Sequence, residues 1–540
     1  MTSITKRLPT ETLHLIVSSL DAPSDILSLA LSCKALAEIA IPRHLNYRVF
    51  HIKISRSVDI FKFFTQAELT AAEVRELNII PENIWDVCRG NFMPDRWMAN
   101  PLVPPKEFAV GRQIQVPAER TSTEQTREYE GLLIEALKRM KTLKRFGWYR
   151  FPQPLVRDGD DLWSILGSLG SLELLGVVDF PTSMLTAVDY QAVKELSATE
   201  TFLNLRGLKI LRIHTTCFDR EKNAVDPTSL FGMPIENSDL EEIHLHLQEF
   251  NNEIVSLIPL ISVAHWNHLR VLDITGYVHC TPFPFLAFLQ SYPAIEELVL
   301  APLIIGKRWF QKPKYRPSEP LLPKLRRLQC TSYQAVWLVE QGARASITEI
   351  AGFDLFKDVV MRFVFFNDPD EVDEADEGDV VLDVSGQSVP SPFLGPFLSI
   401  LKSNRLPCLT KLGGVECTAA TFSALARAFP RVRELSLEPW VWHSADRDID
   451  GFLPHLALLP QLIVLGAIRM LHCDGDHYDL ESNVETVRKI AETCLSLERI
   501  VFEMTQIVLI REGGRIRWVF RKIGDNDPVV QKGEKVHSGT

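Results

Sequence analysis

The sequence predicts an α/β protein: a small three-helix N-terminal segment, then a horseshoe solenoid of strand-and-helix units, then a C-terminal β-hairpin. Three observations carry this. An apolar motif of one form recurs twelve times at similar intervals, the first forty residues read as three short helices, and Gly513-Gly514 separates two strand-like runs near the end. The expected boundaries are 1–50 for the helical segment, 51–139 for a connecting segment and 140–505 for the solenoid, with an acidic insertion at about 367–400. Residues 506–523 are expected to cap the stack and 524–540 to form a disordered tail.

A chain of 540 residues with 46% hydrophobic and 24% charged residues has the ordinary composition of a folded soluble protein. Fifty-eight Lys and Arg against sixty-nine Asp and Glu leave a formal charge of −11. That balance argues against nucleic acid as the main partner, because phosphate backbones are held by clustered cations that release counterions. Nine cysteines without a C-x-x-C pair predict neither a disulfide framework nor a zinc cluster. The opening MTSITKRLPTETLHLIV lacks the apolar core of a secretory signal. The most apolar stretches, 254–264 and 452–468, are interrupted by proline and polar residues and are too short for a bilayer. A cytoplasmic or nuclear protein, with no membrane association, is expected.

Leu8-Pro9 precedes a stretch with apolar residues at 13, 16, 17 and 20, one stripe of a helix whose first turn tolerates proline. Ser24 can cap a second helix, in which apolar residues at 26, 27, 29, 30, 31 and 33 wrap most of the circumference. One-sided packing uses less than that, so a second burial surface is implied. A third helix, Ala35 to Ile41, is expected to end before Pro42. The run Leu8-Pro9, Leu13, Ile16, Leu20, Asp25, Leu27, Leu29, Leu31, Cys33-Lys34 resembles the F-box. Ala35, Leu36 and Ala37 stand where that family often carries a basic-aromatic pair. The resemblance implies docking on the Skp-type linker of a cullin-RING ubiquitin ligase through Leu8, Pro9, Leu13, Ile16, Leu20, Leu27, Leu31 and Cys33. Some of these residues must also hold the three helices together.

The repeated unit is an apolar residue, two variable residues, Leu or Ile, one residue, and usually another apolar one. Leu208-Lys-Ile-Leu211-Arg-Ile213, Leu240-Glu-Glu-Ile243-His-Leu245 and Leu269-Arg-Val-Leu272-Asp-Ile274 show it in full. From Leu143 to Leu497 the copies are spaced near thirty residues, apart from one gap of 62, and Val74-Arg-Glu-Leu77 is a weak outlier upstream. The closing alternation suits a short strand, and helical apolar patterns such as Phe422 to Phe429 precede several copies. Neither element buries its apolar face alone, so neighbours must stack. The pattern resembles irregular leucine-rich repeats, and the whole layout resembles F-box/leucine-rich-repeat proteins of fungal type. The Asn or Cys expected after each strand is missing from most copies, which predicts an irregular ladder between turns.

In this motif the residues between apolar positions point away from the core. They form a candidate concave-face binding set: Arg212, His214, Glu242, His244, His246, Asp273, Thr275, Arg327, Gln329, Thr331, Glu434, Ser436 and Glu438. Mixed charge suggests a polar protein epitope. His244 and His246, two apart on one strand, have a spacing compatible with metal ligation, with Asp273 as a third donor, but a solvated or hydrogen-bonded pair is the favoured reading and no metal is expected. Asp368 to Asp379 holds eight carboxylates, with Asp373 where a calcium loop needs Gly and Asp379 where it needs Glu. It reads as a disordered insertion. No nucleophile elbow, P-loop, dinucleotide fingerprint or metalloprotease motif occurs. Neither catalysis nor a cofactor is expected, and Cys494 reads as a core residue.

Ile507 to Phe520 around Gly513-Gly514 reads as a hairpin closing the open end of the stack. The expected function is a non-catalytic adaptor, with linker and cullin on one side and a protein substrate on the other. The alternative is an interaction scaffold that uses the F-box and repeats without a cullin.

Overall fold

The computed structural model describes residues 8–20, 23–45, 48–54, 58–80, 123–149, 154, 161–179, 199–215, 230–247, 255–304, 320–343, 346–354, 394–403, 405–416, 419–437, 449–466, 473–474, 477–478, 480–502, 505–512 and 515–522. They fall into two compact units, residues 1–255 with 263–268 and residues 256–262 with 269–540. Among the described residues no helix is long and apolar enough to cross a membrane.

The first unit opens with helices α1 (Thr10–Ser18), α2 (Pro23–Ser32) and α3 (Lys34–Ile39), continued by a π-helical turn, Ala40–Leu45. Six parallel strands follow: β1 (Val49–Lys53), β2 (Glu76–Ile80), β3 (Arg145–Trp148), β4 (Leu174–Asp179), β5 (Ile210–Thr215) and β6 (Glu242–Leu247). Their registers align Phe50, Leu77, Phe146, Leu175, Leu211 and Ile243 in one row. All six are buried, because the second apolar position of each unit meets its counterpart across one strand spacing, about 4.8 Å. The ladder thus already runs through Val49 and Glu76, ahead of residue 140, and Val74 and Leu77 of the weak outlier are fully buried in it.

The second unit carries, apart from two-residue strands, β7 (Val271–His279), β8 (Glu297–Ile304), β9 (Arg327–Cys330), β10 (Glu349–Asp354), β11 (Lys411–Glu416), β12 (Glu434–Leu437), β13 (Val464–Gly466) and β14 (Arg499–Phe502), all parallel. Leu272, Leu298, Leu328, Ile350, Leu412, Leu435, Leu465 and Ile500 form the equivalent buried row. The parallel run ends at β15 (Thr505–Glu512), antiparallel to β14 and joined to β16 (Arg515–Lys522) with Glu512 opposite Arg515. The connection there is the Gly513-Gly514 pair.

The expected insertion at 367–400 needs correction at its end. Residues 394–400 begin the helix Leu394–Lys402, in which Phe397, Ile400 and Leu401 are buried. The spacing of those three residues gives that segment an apolar face, which the acidic stretch before it lacks. Residues 367–393 and the tail 524–540 lie outside the described residues.

Among the described residues, hydroxyls tie several successive strand-and-helix units. Ser171 Oγ donates to Leu143 O, Ser346 Oγ to Leu325 O and Ser496 Oγ to Leu462 O, each at 2.8 Å. In each case the serine immediately precedes the first apolar position of its own unit and reaches the equivalent carbonyl one unit back. Thr142 reaches Val74 O from the same place at 3.4 Å. Asn237 does comparable work in one turn, donating to Leu205 O and Met233 O and accepting from Leu208 N.

Candidate docking face and open strand face

In α1 the chain enters through Pro9, extended at φ −57° and ψ 148°, whose carbonyl accepts from Leu13 N. Leu13 and Val17, one turn apart, are buried. In α2, Ile26 and Ala30 stand at the same i, i+4 spacing, and Val17, Ile26, Ala30 and Ala40 make a small core with Leu20, Leu29, Ala37 and Ile39 packed against it. One step along α2 a second stripe turns outward: Leu27 is 45% exposed and Leu31 76%. Leu8, Leu15, Ile16 and Ile41 are exposed as well. The wrapped apolar circumference of α2 therefore resolves into one stripe spent on the core and one left on the surface.

The expected linker residues divide accordingly. Leu8, Pro9, Ile16, Leu27 and Leu31 are exposed, and Leu20 and Cys33 are half-buried. Leu13, 5% exposed, belongs to the core and is removed from the docking set, because its side chain lies on the inward face of α1. Leu15 and Ile41 were not singled out by the sequence pattern. Leu15 falls outside the 13, 16, 17, 20 stripe, and Ile41 belongs to a π turn that no propensity signals.

The open face of β5 and β6 brings five of the expected binding residues into one block. Arg212 and His244 share a register position, as do His214 and His246 one pleat further on. Arg212 Nη2 lies 3.7 Å from Glu242 Oε2, and His244 Nε2 lies at the same distance from that oxygen. The rings of His214 and His246 stack at 5.6 Å with 13° between planes. His214 and His244 are buried. As surface contacts they need correction, since both are buried, while Arg212, Glu242 and His246 are half-exposed.

The same register row holds Asn78, Gly147, Gly176 and Arg212. Tyr149 folds back across the two glycines, and a Cβ at either would collide with its ring or hydroxyl. Burial pushes its phenol up to about 12; nearby Arg212 acts in the opposite direction and Glu76 in the same one. Glu76 is itself held by Arg145 Nη1 at 3.3 Å and accepts from Asn78 Nδ2 at 2.8 Å. Sequence reading missed this arrangement, although its signal is present: Gly follows the second apolar position in both Leu143-Lys-Arg-Phe146-Gly147 and Leu172-Glu-Leu-Leu175-Gly176.

In the second unit Asp273 is fully buried, in register with Val299 of β8, a correction to its place in the binding set. Thr275, Arg327, Gln329, Glu434 and Ser436 are half-exposed. Arg327 bridges Glu297 at 2.8 Å and Glu349 at 3.1 Å, and Lys411 pairs with Glu434 at 2.7 Å. Thr331 has a local task, forming a capping box with Gln334 at the start of the helix Ser332–Glu340. Among the described residues no group of three or more His, Cys, Asp or Glu is arranged to hold a metal. The thiols of Cys280 and Cys494 are pushed up, to about 12 and 11, chiefly by burial, and Cys494 points its sulfur at Leu456 O, 3.6 Å away.

Among solved structures the chain is similar to the crystal structure of the Rad7 and Elc1 complex in yeast, at 12% identity and a TM-score of 0.38, covering 79% of this chain and 88% of that one. No curated protein matches the sequence. At the N-terminus, where α1 to α3 carry both the small core and the outward leucines, residues 5–52 match the F-box-like family.

Proposed function

We propose that the chain is a substrate-recognition adaptor of a Skp/cullin/F-box-type ubiquitin ligase. The outward stripe of α2, with Leu8, Leu15, Ile16 and Ile41, docks on the linker subunit, and the half-exposed residues of the strand faces hold a protein substrate. The observation that carries this reading is the exposure of Leu27 and Leu31 on a segment that matches the F-box-like family. A small helical body that leaves large leucines in water while burying their neighbours is organised to cover them with another polypeptide. On the substrate side the reading assigns Arg212, Glu242, His246, Thr275, Arg327, Gln329, Glu434 and Ser436. Positioning is the adaptor's contribution: it raises the effective concentration of a substrate lysine near a ubiquitin-charged enzyme and needs no reactive side chain of its own.

Affinity capture of the full chain tests this. Linker and cullin recovered together support the ligase; linker without cullin favours the scaffold alternative; recovery of neither refutes both. Leu31→Asp should weaken linker binding about 30-fold or more, the cost of about 2 kcal/mol at an apolar anchor, with the far-ultraviolet circular dichroism unchanged. Leu13→Ala should instead destabilise the helices by about 2–5 kcal/mol.

A further inference from the structure

The F-box-like helices meet the strands of the first unit through a buried polar junction. His44, in the π turn and almost fully buried, has its Nε2 at 3.2 Å from His14 Nδ1 of α1. Its other nitrogen lies 3.5 Å from Glu73 Oε2, in the turn leading to β2, and 3.5 Å from Arg48 Nη2. Arg48, also buried, donates from Nη2 to Val17 O at 3.0 Å and from Nη1 to Leu20 O at the end of α1. Its carbonyl accepts from the amides of Arg75 and Glu76 at 2.9 Å. Two polar ties thus hold α1 against the strands, and the apolar core beside them is small. The other ionisable groups on the helices packed against this turn, Glu11, Asp25, Lys34 and Glu38, are exposed.

A hydrogen bond between two imidazoles needs one ring to donate and the other to accept. The first added proton leaves it intact, because a charged His14 still donates from Nδ1 to a neutral His44. The second removes the acceptor on His44 and leaves two N–H groups facing each other, with the Arg48 guanidinium alongside. Glu73, whose carboxylate lies 3.5 Å from His44 Nδ1, opposes this. We propose that the His14–His44 contact is a proton-sensitive latch: closed near neutral pH, it opens as acidification adds the second proton, loosening the linker-docking helices from the strands. The sign follows from the count: the closed state binds one proton fewer than the open one, so the latch weakens as pH falls. Linker docking itself plays no part in this, so failure of the ligase reading would leave the latch standing.

The test is a spin-label distance measurement on the full chain, with a noncanonical label at Ala35 in α3 and another at Glu128 in the helix Thr123–Leu137, both exposed. The wild-type distance distribution should be narrow at pH 7.5 and at least twice as wide at pH 5.0. His14→Gln should stay narrow at both, since a carboxamide can donate to neutral His44 through its nitrogen and accept from charged His44 through its oxygen. An unchanged wild-type width, or equal broadening in His14→Gln, would overturn the proposal. So would loss of helical circular dichroism at pH 5.0 in both chains alike.

Discussion

Tyr149 shows what one side chain can impose on two strands. Its ring lies across Gly147 and Gly176, and its phenol is held protonated to about pH 12 by burial. Unfolded, a tyrosine releases its proton near pH 10. Between those values the unfolded chain sheds a proton that the fold keeps, so stability is whole below pH 10 and falls as pH rises through the window. Urea midpoints measured from pH 8 to 11.5 should show this alkaline decline in the first unit, and Tyr149→Phe should flatten it. A decline of equal depth in the phenylalanine variant would remove Tyr149 as its source. The residue was not legible in the sequence, because a tyrosine just after a strand has no fixed direction until the glycines beside it are known to share a register. By contrast the apolar circumference of α2 made a second surface legible, and the F-box resemblance placed Leu31 on it. A short helix with apolar residues all round must leave some of them outside.

At the scale of elements, hydroxyl ties add to the backbone ladder at several steps of the stack. Ser171, Ser346 and Ser496 each satisfy a carbonyl at the turn entering a strand, where the chain has left its helix and backbone acceptors would otherwise depend on water. Each such bond contributes about 0.5–1.5 kcal/mol net. Ser496→Ala should lower the stability of the second unit by about that amount, and hydrogen exchange should show the loss at Leu462 to Leu465 rather than across the unit. Uniform loss of protection would mean that the tie is not local. Strands were the legible part of this fold, since the second apolar position of nearly every copy falls in the buried row of its own unit. Helices such as Leu394–Lys402 were hidden by the composition of what precedes them, and buried polar positions such as His214 and Asp273 by the fact that period-two alternation fixes a face but not what covers it.

For the whole molecule, the formal charge of −11 and the exposed apolar stripe of α2 point to different uses of surface. If the proposed docking holds, recognition through Leu27 and Leu31 would exclude water rather than pair ions, so linker capture should hold when salt is raised from 0.1 to 0.5 M. Substrate capture through Arg212, Arg327 and Glu434 should weaken over the same range. Parallel pull-downs at the two salt concentrations check both, and equal sensitivity would contradict the assignment of the faces.

One lateral row in the second unit has a bearing on how the chain reaches its native form. Glu297, Arg327, Glu349, Lys411 and Glu434 lie side by side on five consecutive strands, alternating in sign. Coils of similar sequence invite errors in which one is omitted and its neighbours close up. Omitting any of the three inner coils would set Glu against Glu or Lys against Arg. A misassembled stack is thus marked by repulsion at the step where it went wrong, while the native order is the one in which every neighbour attracts.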